Sequence, residues 1–228
     1  MVNLERLRWI PVQMEKDYLL INIPEFKLHV FENSKQVWAA NVVVGKTARR
    51  TSIFRGNLSQ IVLNPFWGIP NSIVQDEILP KIKKNPNYLA NNNMEVIDGN
   101  YRQKPGLNNA LGKIKFLFPN NYNIYLHDTP SKGLFKENTR AFSHGCIRVE
   151  NPKKLAYYLL RNEPEWSPEK INNVLLTDTM TNIIVRPTVP VYIAYFTAWV
   201  DNTGQLNFRN DLYNLDNKLS KEVFGDLK

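Results

Sequence analysis

Apolar and polar residues alternate with a period of two along much of this chain, which is the pattern of strands with one buried face. It predicts strands at 18–23, 27–31 and 37–44, with a turn at 32–36 between the second and third, and another strand at 58–63. Late in the chain the β-branched stretches 182–186 and 191–200 read the same way, and Asn202-Thr203-Gly204 predicts a hairpin into Leu206-Asn207-Phe208. Helical spacing is rarer. Ser72 and Gln75 suggest a capping box for a helix running to Ile82 despite Pro80. Pro152 and Pro168 open helices at 152–161 and 168–176, the first with Leu155, Tyr158 and Leu159 on one face and Asn151 as N-cap. Many short strands with few helices predict a mainly β fold, a sandwich or closed sheet rather than a parallel α/β one. Residues 64–111 break the strand pattern, have helical character and read as an α-containing insertion.

The same alternation arranges candidate chemistry. In Asn123-Ile124-Tyr125-Leu126-His127 the period puts Tyr125 and His127 on one face and Leu126 on the other. The chain's one cysteine follows in Ser143-His144-Gly145-Cys146-Ile147-Arg148, where Cys146 and Arg148 share a face and Ile147 and Val149 point to the core. A thiolate is the attacking form of cysteine, and a neighbouring imidazole can take the thiol proton, hold the thiolate in an ion pair and later protonate a leaving amine. Arg148 favours the thiolate and offers a charge for an anionic substrate group. Gly145 suits a tight turn whose backbone N–H groups face a reacting carbonyl. His144, two residues from the thiol, competes with His127 as base. Tyr125 is equally a pocket wall or a core residue, and His29, alternating with apolar neighbours, reads as an ordinary strand residue.

His127, a gap, then Ser143-His144-Gly145-Cys146 resembles the signature of the YkuD-type L,D-transpeptidases. The likeness extends through Asn64-Pro65-Phe66-Trp67-Gly68-Ile69-Pro70-Asn71-Ser72-Ile73, Ile78-Leu79-Pro80-Lys81-Ile82, Tyr88-Leu89-Ala90 and Glu95-Val96-Ile97-Asp98 to the larger Gram-negative branch with a substrate-capping insertion. The resemblance covers roughly residues 15–215 and implies a linker at 1–14, a catalytic domain with a β-sandwich-like fold at 15–215, a lid at 64–111 and a tail at 216–228. It implies that Cys146 attacks the L-centre carbonyl of a diamino acid in a peptidoglycan tetrapeptide stem, releasing D-alanine, and that an amine of a second stem takes the acyl group to form a 3→3 cross-link. His127 would be the base, oriented by the Asp128 backbone carbonyl, with Ser143, His144 and Gly145 shaping the site. Trp67, Phe66 and Tyr88 are lid contacts or the insertion's own core. Many relatives have Asn two residues after the cysteine where this chain has Arg148, which bears on substrate contacts more than on catalysis. A carbapenem, a strained amide acylator, would trap the thiol.

Composition adds boundaries. Across 228 residues, 29 basic against 21 acidic side chains leave a net charge of +8, suited to an anionic polymer. No zinc-finger or RNA-binding signature points to nucleic acid, and no run approaches the ~18 apolar residues of a membrane span. The N-terminal residues lack the apolar core of an export signal, so the reading is an envelope or periplasmic domain, monomeric and without cofactor, whose upstream region is missing. Three alternatives remain open: a hydrolase or L,D-carboxypeptidase using the same thiol, a zinc site from His127, His144 and Cys146, and a non-catalytic wall-binding module.

Overall fold

The computed structural model describes residues 1–201 and 203–225. Its strands are β1 (Tyr18–Asn22), β2 (Lys27–Glu32), β3 (Lys35–Gly45), β4 (Phe54–Leu63), β5 (Trp67–Gly68), β6 (Met94–Ile97), β7 (Asn100–Gln103), β8 (Ile114–Leu117), β9 (Leu126–His127), β10 (Ala141–Ser143), β11 (Ile147–Val149), β12 (Thr181–Ala194), β13 (Ala198–Val200) and β14 (Leu206–Phe208). Its helices are α1 (Val2–Leu7), α2 (Asn71–Ile73), α3 (Leu79–Lys84), α4 (Tyr88–Asn91), α5 (Pro152–Leu159), α6 (Pro168–Leu175) and α7 (Leu215–Phe224).

The main sheet is ordered β10-β3-β11-β9-β8-β4-β12-β1-β2, and a further β2–β3 pairing joins its two ends. The fold is therefore mainly β, and its sheet closes on itself. Long β3 makes closure possible, because Lys35 to Asn41 pair with β2 while Val42 and Val43 pair with β11. The inward positions of these strands form one core, with Leu19, Leu28, Val42, Ile61, Phe116, Leu126, Ile147 and Val191 fully buried. Leu155 and Leu159 of α5 and Ile171 of α6 cover it. The hairpin turn between β2 and β3 is shorter than 32–36, because Asn33 and Ser34 both take positive φ, a two-residue turn whose twist matches the strands it joins.

Several local expectations change. The stretches 182–186 and 191–200 are largely one strand, β12, which pairs with β4 across a register shift between Ile184 and Val189. Pro187, without an N–H, sits in that irregularity, where no ladder bond is required of it. The strand stops at Ala194 because the amides that follow find side-chain acceptors: Phe196 N–H donates to Asn22 Oδ1 at 2.8 Å and Thr197 N–H to Asn3 Oδ1 at 3.0 Å. The hairpin of β13 and β14 forms as expected, with Asn202 outside the described residues. Asn151 stands at the N-cap of α5 without a side-chain capping bond, whereas Ser167 caps α6 by accepting from Lys170 N–H at 3.2 Å.

The stretch expected as a linker contains α1, and the C-terminal stretch contains α7, out to Phe224; residues 226–228 of the tail lie outside the described residues. Buried Arg6 of α1 pairs with Asp216 of α7 at 2.5 Å.

The insertion has a small core of its own, Ile69, Ile73, Val74 and Ile78, against which Trp67, Tyr88 and Tyr101 pack. The capping box does not form: Ser72 lies inside α2 and accepts from Arg49 Nη1 at 3.2 Å, while Gln75 donates to Asn71 Oδ1. Between α2 and α3 the backbone widens into a π-turn, Val74–Ile78, just ahead of Pro80, whose missing N–H and ring disturb the preceding turn of a regular helix. The helical reading of the insertion also omits a three-stranded sheet, β5-β7-β6. Its signal is Asp98-Gly99, both at positive φ, joining β6 to β7 in a two-residue turn.

Candidate active site

Three adjacent strands build one wall of a chamber of about 570 Å³. In their register Phe116 of β8 and Ile147 of β11 flank Leu126 of β9, all fully buried on the core face. One residue along, the opposite face carries Lys115, His127 and Arg148 in a row. Tyr125, two residues before His127, shares its face, with the two rings 5.6 Å apart and Lys115 Nζ 4.1 Å above the Tyr125 ring.

His127 is 5 % exposed, and its Nδ1 lies 2.5 Å from the Asp128 carbonyl. A carbonyl only accepts, so Nδ1 carries the proton and Nε2 keeps its lone pair. The Asp128 carboxylate is occupied elsewhere: it accepts from the backbone N–H groups of Lys113 at 2.9 Å and Thr129 at 2.7 Å, and pairs with Lys132. Gly112, at φ +62°, lets the chain pass this carboxylate, since a Cβ there would lie 2.4 Å from it.

The half-buried Cys146 directs its Sγ to the Asn123 carbonyl at 3.5 Å. The turn before it is closed from within. Ser143 Oγ accepts from Gly145 N–H at 3.1 Å and donates to the Cys146 carbonyl at 2.5 Å, while Thr51 Oγ1 donates to the Gly145 carbonyl at 2.8 Å. Gly145 takes φ +116°, a conformation that other residues rarely adopt. Its amide is committed to Ser143 rather than to the chamber. His144 turns towards the insertion, with Nε2 2.9 Å from Glu77 Oε1. Beside it Arg49 binds Asp76 at 2.5 Å, so an ion pair and the His144–Glu77 hydrogen bond fasten the insertion to the body next to the thiol. Trp67 and Ile73 complete the insertion's side of the chamber, with Trp67 adjoining the Tyr125 phenol.

Electrostatics revise the ion-pair expectation. Burial, then the Arg148 and Lys115 charges, push His127 down to about 3. Burial also raises the Cys146 thiol, against the opposing pull of Tyr125, Lys115 and Arg148. At neutral pH the resting pair is therefore thiol and neutral imidazole, because a dry chamber penalises both charged forms. Burial likewise raises the Tyr125 phenol and lowers Arg148 and Lys115.

Sequence reasoning placed Tyr125, His127, Ser143, His144, Cys146, Arg148 and Trp67 here, and all line the chamber. It missed Lys115, Glu77 and Arg49. Lys115 alternates between apolar Ile114 and Phe116, a strand signal, but nothing in that pattern says that its polar face looks into a chamber. His127, His144 and Cys146 do not form a ligand cluster; among the described residues there is no group of three or more His, Cys, Asp or Glu side chains placed to hold a metal ion.

The family model of the L,D-transpeptidase catalytic domain, YkuD, matches residues 16–193. The chain belongs to that family. It is 35% identical over 251 residues to a Haemophilus influenzae protein named "Putative L,D-transpeptidase", covering 99% of this chain and 50% of that protein, so the chain spans about half the length of this curated relative. Among solved structures, an L,D-transpeptidase from Mycobacterium smegmatis aligns with a TM-score of 0.41 at 12% identity, over 78% of this chain and 58% of that one. L,D-transpeptidase 3 from Mycobacterium tuberculosis aligns with 0.42 at 12% identity, over 78% and 60%. Among the described residues no helix is long and apolar enough to cross a membrane.

Proposed function

We propose that this chain is the catalytic part of a cell-envelope L,D-transpeptidase, periplasmic in a two-membrane cell, that cross-links peptidoglycan stems through a Cys146 thioester. The observation that carries the reading is the tautomer of His127: with Nδ1 held by the Asp128 carbonyl, an unprotonated Nε2 is left in the chamber that Cys146 lines. As Sγ bonds to the L-centre carbonyl of the donor's diamino acid, Nε2 accepts the thiol proton, so charge forms only as the reaction proceeds. The tetrahedral intermediate collapses, the bond to D-alanine breaks, and imidazolium protonates the departing amine. The amine of a second stem then loses its proton to His127, attacks the thioester and restores the thiol, leaving a 3→3 cross-link. In this scheme the backbone amide of Cys146 serves as the oxyanion donor, since that of Gly145 is committed to Ser143. The insertion acts as a lid that limits water at the thioester, and one chain supplies every reacting group.

The test uses purified disaccharide-tetrapeptide and intact-mass spectrometry. Wild type should form an acyl-enzyme with loss of D-alanine, then a cross-linked dimer, and should gain the mass of a carbapenem; Cys146→Ala should do none of these. D-alanine release without dimer would identify a hydrolase. Unaltered turnover by Cys146→Ala would overturn the covalent mechanism.

A further inference from the structure

Two cations in the chamber have no counter-ion. Of the other charged side chains on its wall, Arg49 is paired with Asp76, and Glu77 is turned to the His144 imidazole at 2.9 Å. Among the described residues no acidic group pairs with Lys115, whose recorded contact is the Tyr125 ring face, or with Arg148, whose Nε is buried without a hydrogen-bond partner. Both flank His127 in the cross-strand row, one from each side. Holding two uncompensated positive charges in a partly dry chamber is costly, and an anionic ligand would offset that cost. A guanidinium edge matches the two oxygens of a carboxylate, and an ammonium adds a compact charge beside it.

We propose that Lys115 and Arg148 form a carboxylate subsite that grips an acidic group of the acyl donor next to the carbonyl that Cys146 attacks. This rests on the donor assignment above. A tetrapeptide donor offers two such groups, the carboxylate of the terminal D-alanine and that on the distal centre of the diamino acid. The subsite makes the enzyme selective for donors in which the gripped carboxylate is free rather than amidated.

Three synthetic donors separate these sources: one with both carboxylates free, one amidated at the terminal D-alanine and one amidated on the diamino acid. Rates of acyl-enzyme formation are measured for wild type, Lys115→Met and Lys115→Arg. In wild type, amidation of the gripped carboxylate should lower kcat/KM at least about tenfold, mostly through KM. Lys115→Met should lose a similar factor on the free donor and discriminate little between the three, while Lys115→Arg should retain discrimination. Equal acylation of wild type by all three donors would overturn the subsite while leaving the transpeptidase reading intact, and that comparison holds even if Lys115→Met fails to fold. Full discrimination by a folded Lys115→Met would also overturn it, reducing Lys115 to tuning the thiol. No acylation by any donor would sink the donor assignment itself.

Discussion

The two walls of the chamber are built on different principles. The strand wall of Lys115, His127 and Arg148 lies on adjacent strands of a closed sheet, with Phe116, Leu126 and Ile147 anchoring its reverse side in the main core. The insertion's wall of Trp67, Ile73 and Glu77 rests on a separate core centred on Ile69, Ile73, Val74 and Ile78, with an ion pair and a hydrogen bond fastening it to the body beside the thiol. Rigidity in the first comes from a shared ladder and core, so its groups keep their positions before substrate arrives. The second can loosen without unravelling the sheet. In the proposed reaction the reacting groups need the first kind of support, and a cover that must admit two stem peptides needs the second.

The sharpest way to break this contrast is to cut matching holes in the two cores. Leu126→Ala should lower global stability by about 2–5 kcal/mol in urea unfolding, since it empties a fully buried site directly behind His127. Ile73→Ala should speed amide exchange chiefly within residues 66–103 and move the global midpoint less. Equal shifts in midpoint would mean that lid and body are one cooperative unit.

Acid should discriminate next. Above pH 6.5 neither the folded nor the unfolded state protonates His127, and its full contribution to stability is present. Below 6.5 the unfolded chain binds a proton that the folded chain refuses until about 3, so stability falls with pH across that window, by at most about 1.4 kcal/mol per pH unit. His127→Gln should flatten this slope in unfolding measurements between pH 4 and 7. His144→Gln on the lid side should leave most of it, because His144 is partly exposed and Glu77 opposes the lowering caused by burial. A slope unchanged in His127→Gln would contradict the neutral resting pair.

The smallest effect belongs to the latch. Glu77→Gln weakens a partly exposed contact with His144 worth up to about 1 kcal/mol, so the midpoint should scarcely change. Loosening the lid should nevertheless raise the ratio of hydrolysed to transferred acyl groups, by up to about fivefold, as read by product chromatography. An unchanged ratio would show that the His144–Glu77 pair has no part in excluding water.

Period-two patterning placed Tyr125 and His127 on the face opposite Leu126, and Cys146 and Arg148 opposite Ile147 and Val149, because the direction of a strand side chain follows from its position in the chain. The same logic found β1, β2 and β3 to within a few residues. It faltered at β12, where the stretches 182–186 and 191–200 read as two strands and are largely one with a register shift, and at Ser72, where a capping pattern sits inside a helix. The pairing of Arg6 with Asp216 shows the same limit, since the partners are 210 positions apart and no local pattern links them.

What the chain determined by itself is local: which segments extend, which face each side chain takes, and a Ser-His-Gly-Cys turn that Gly145 permits and Ser143 closes. Tertiary structure alone decided that Lys115 joins His127 and Arg148 in one row, that the insertion meets His144 through Glu77, and that burial favours the uncharged thiol and imidazole. Strand register and desolvation arise only when distant segments come together and expel water, so neither is written in the order of neighbouring residues.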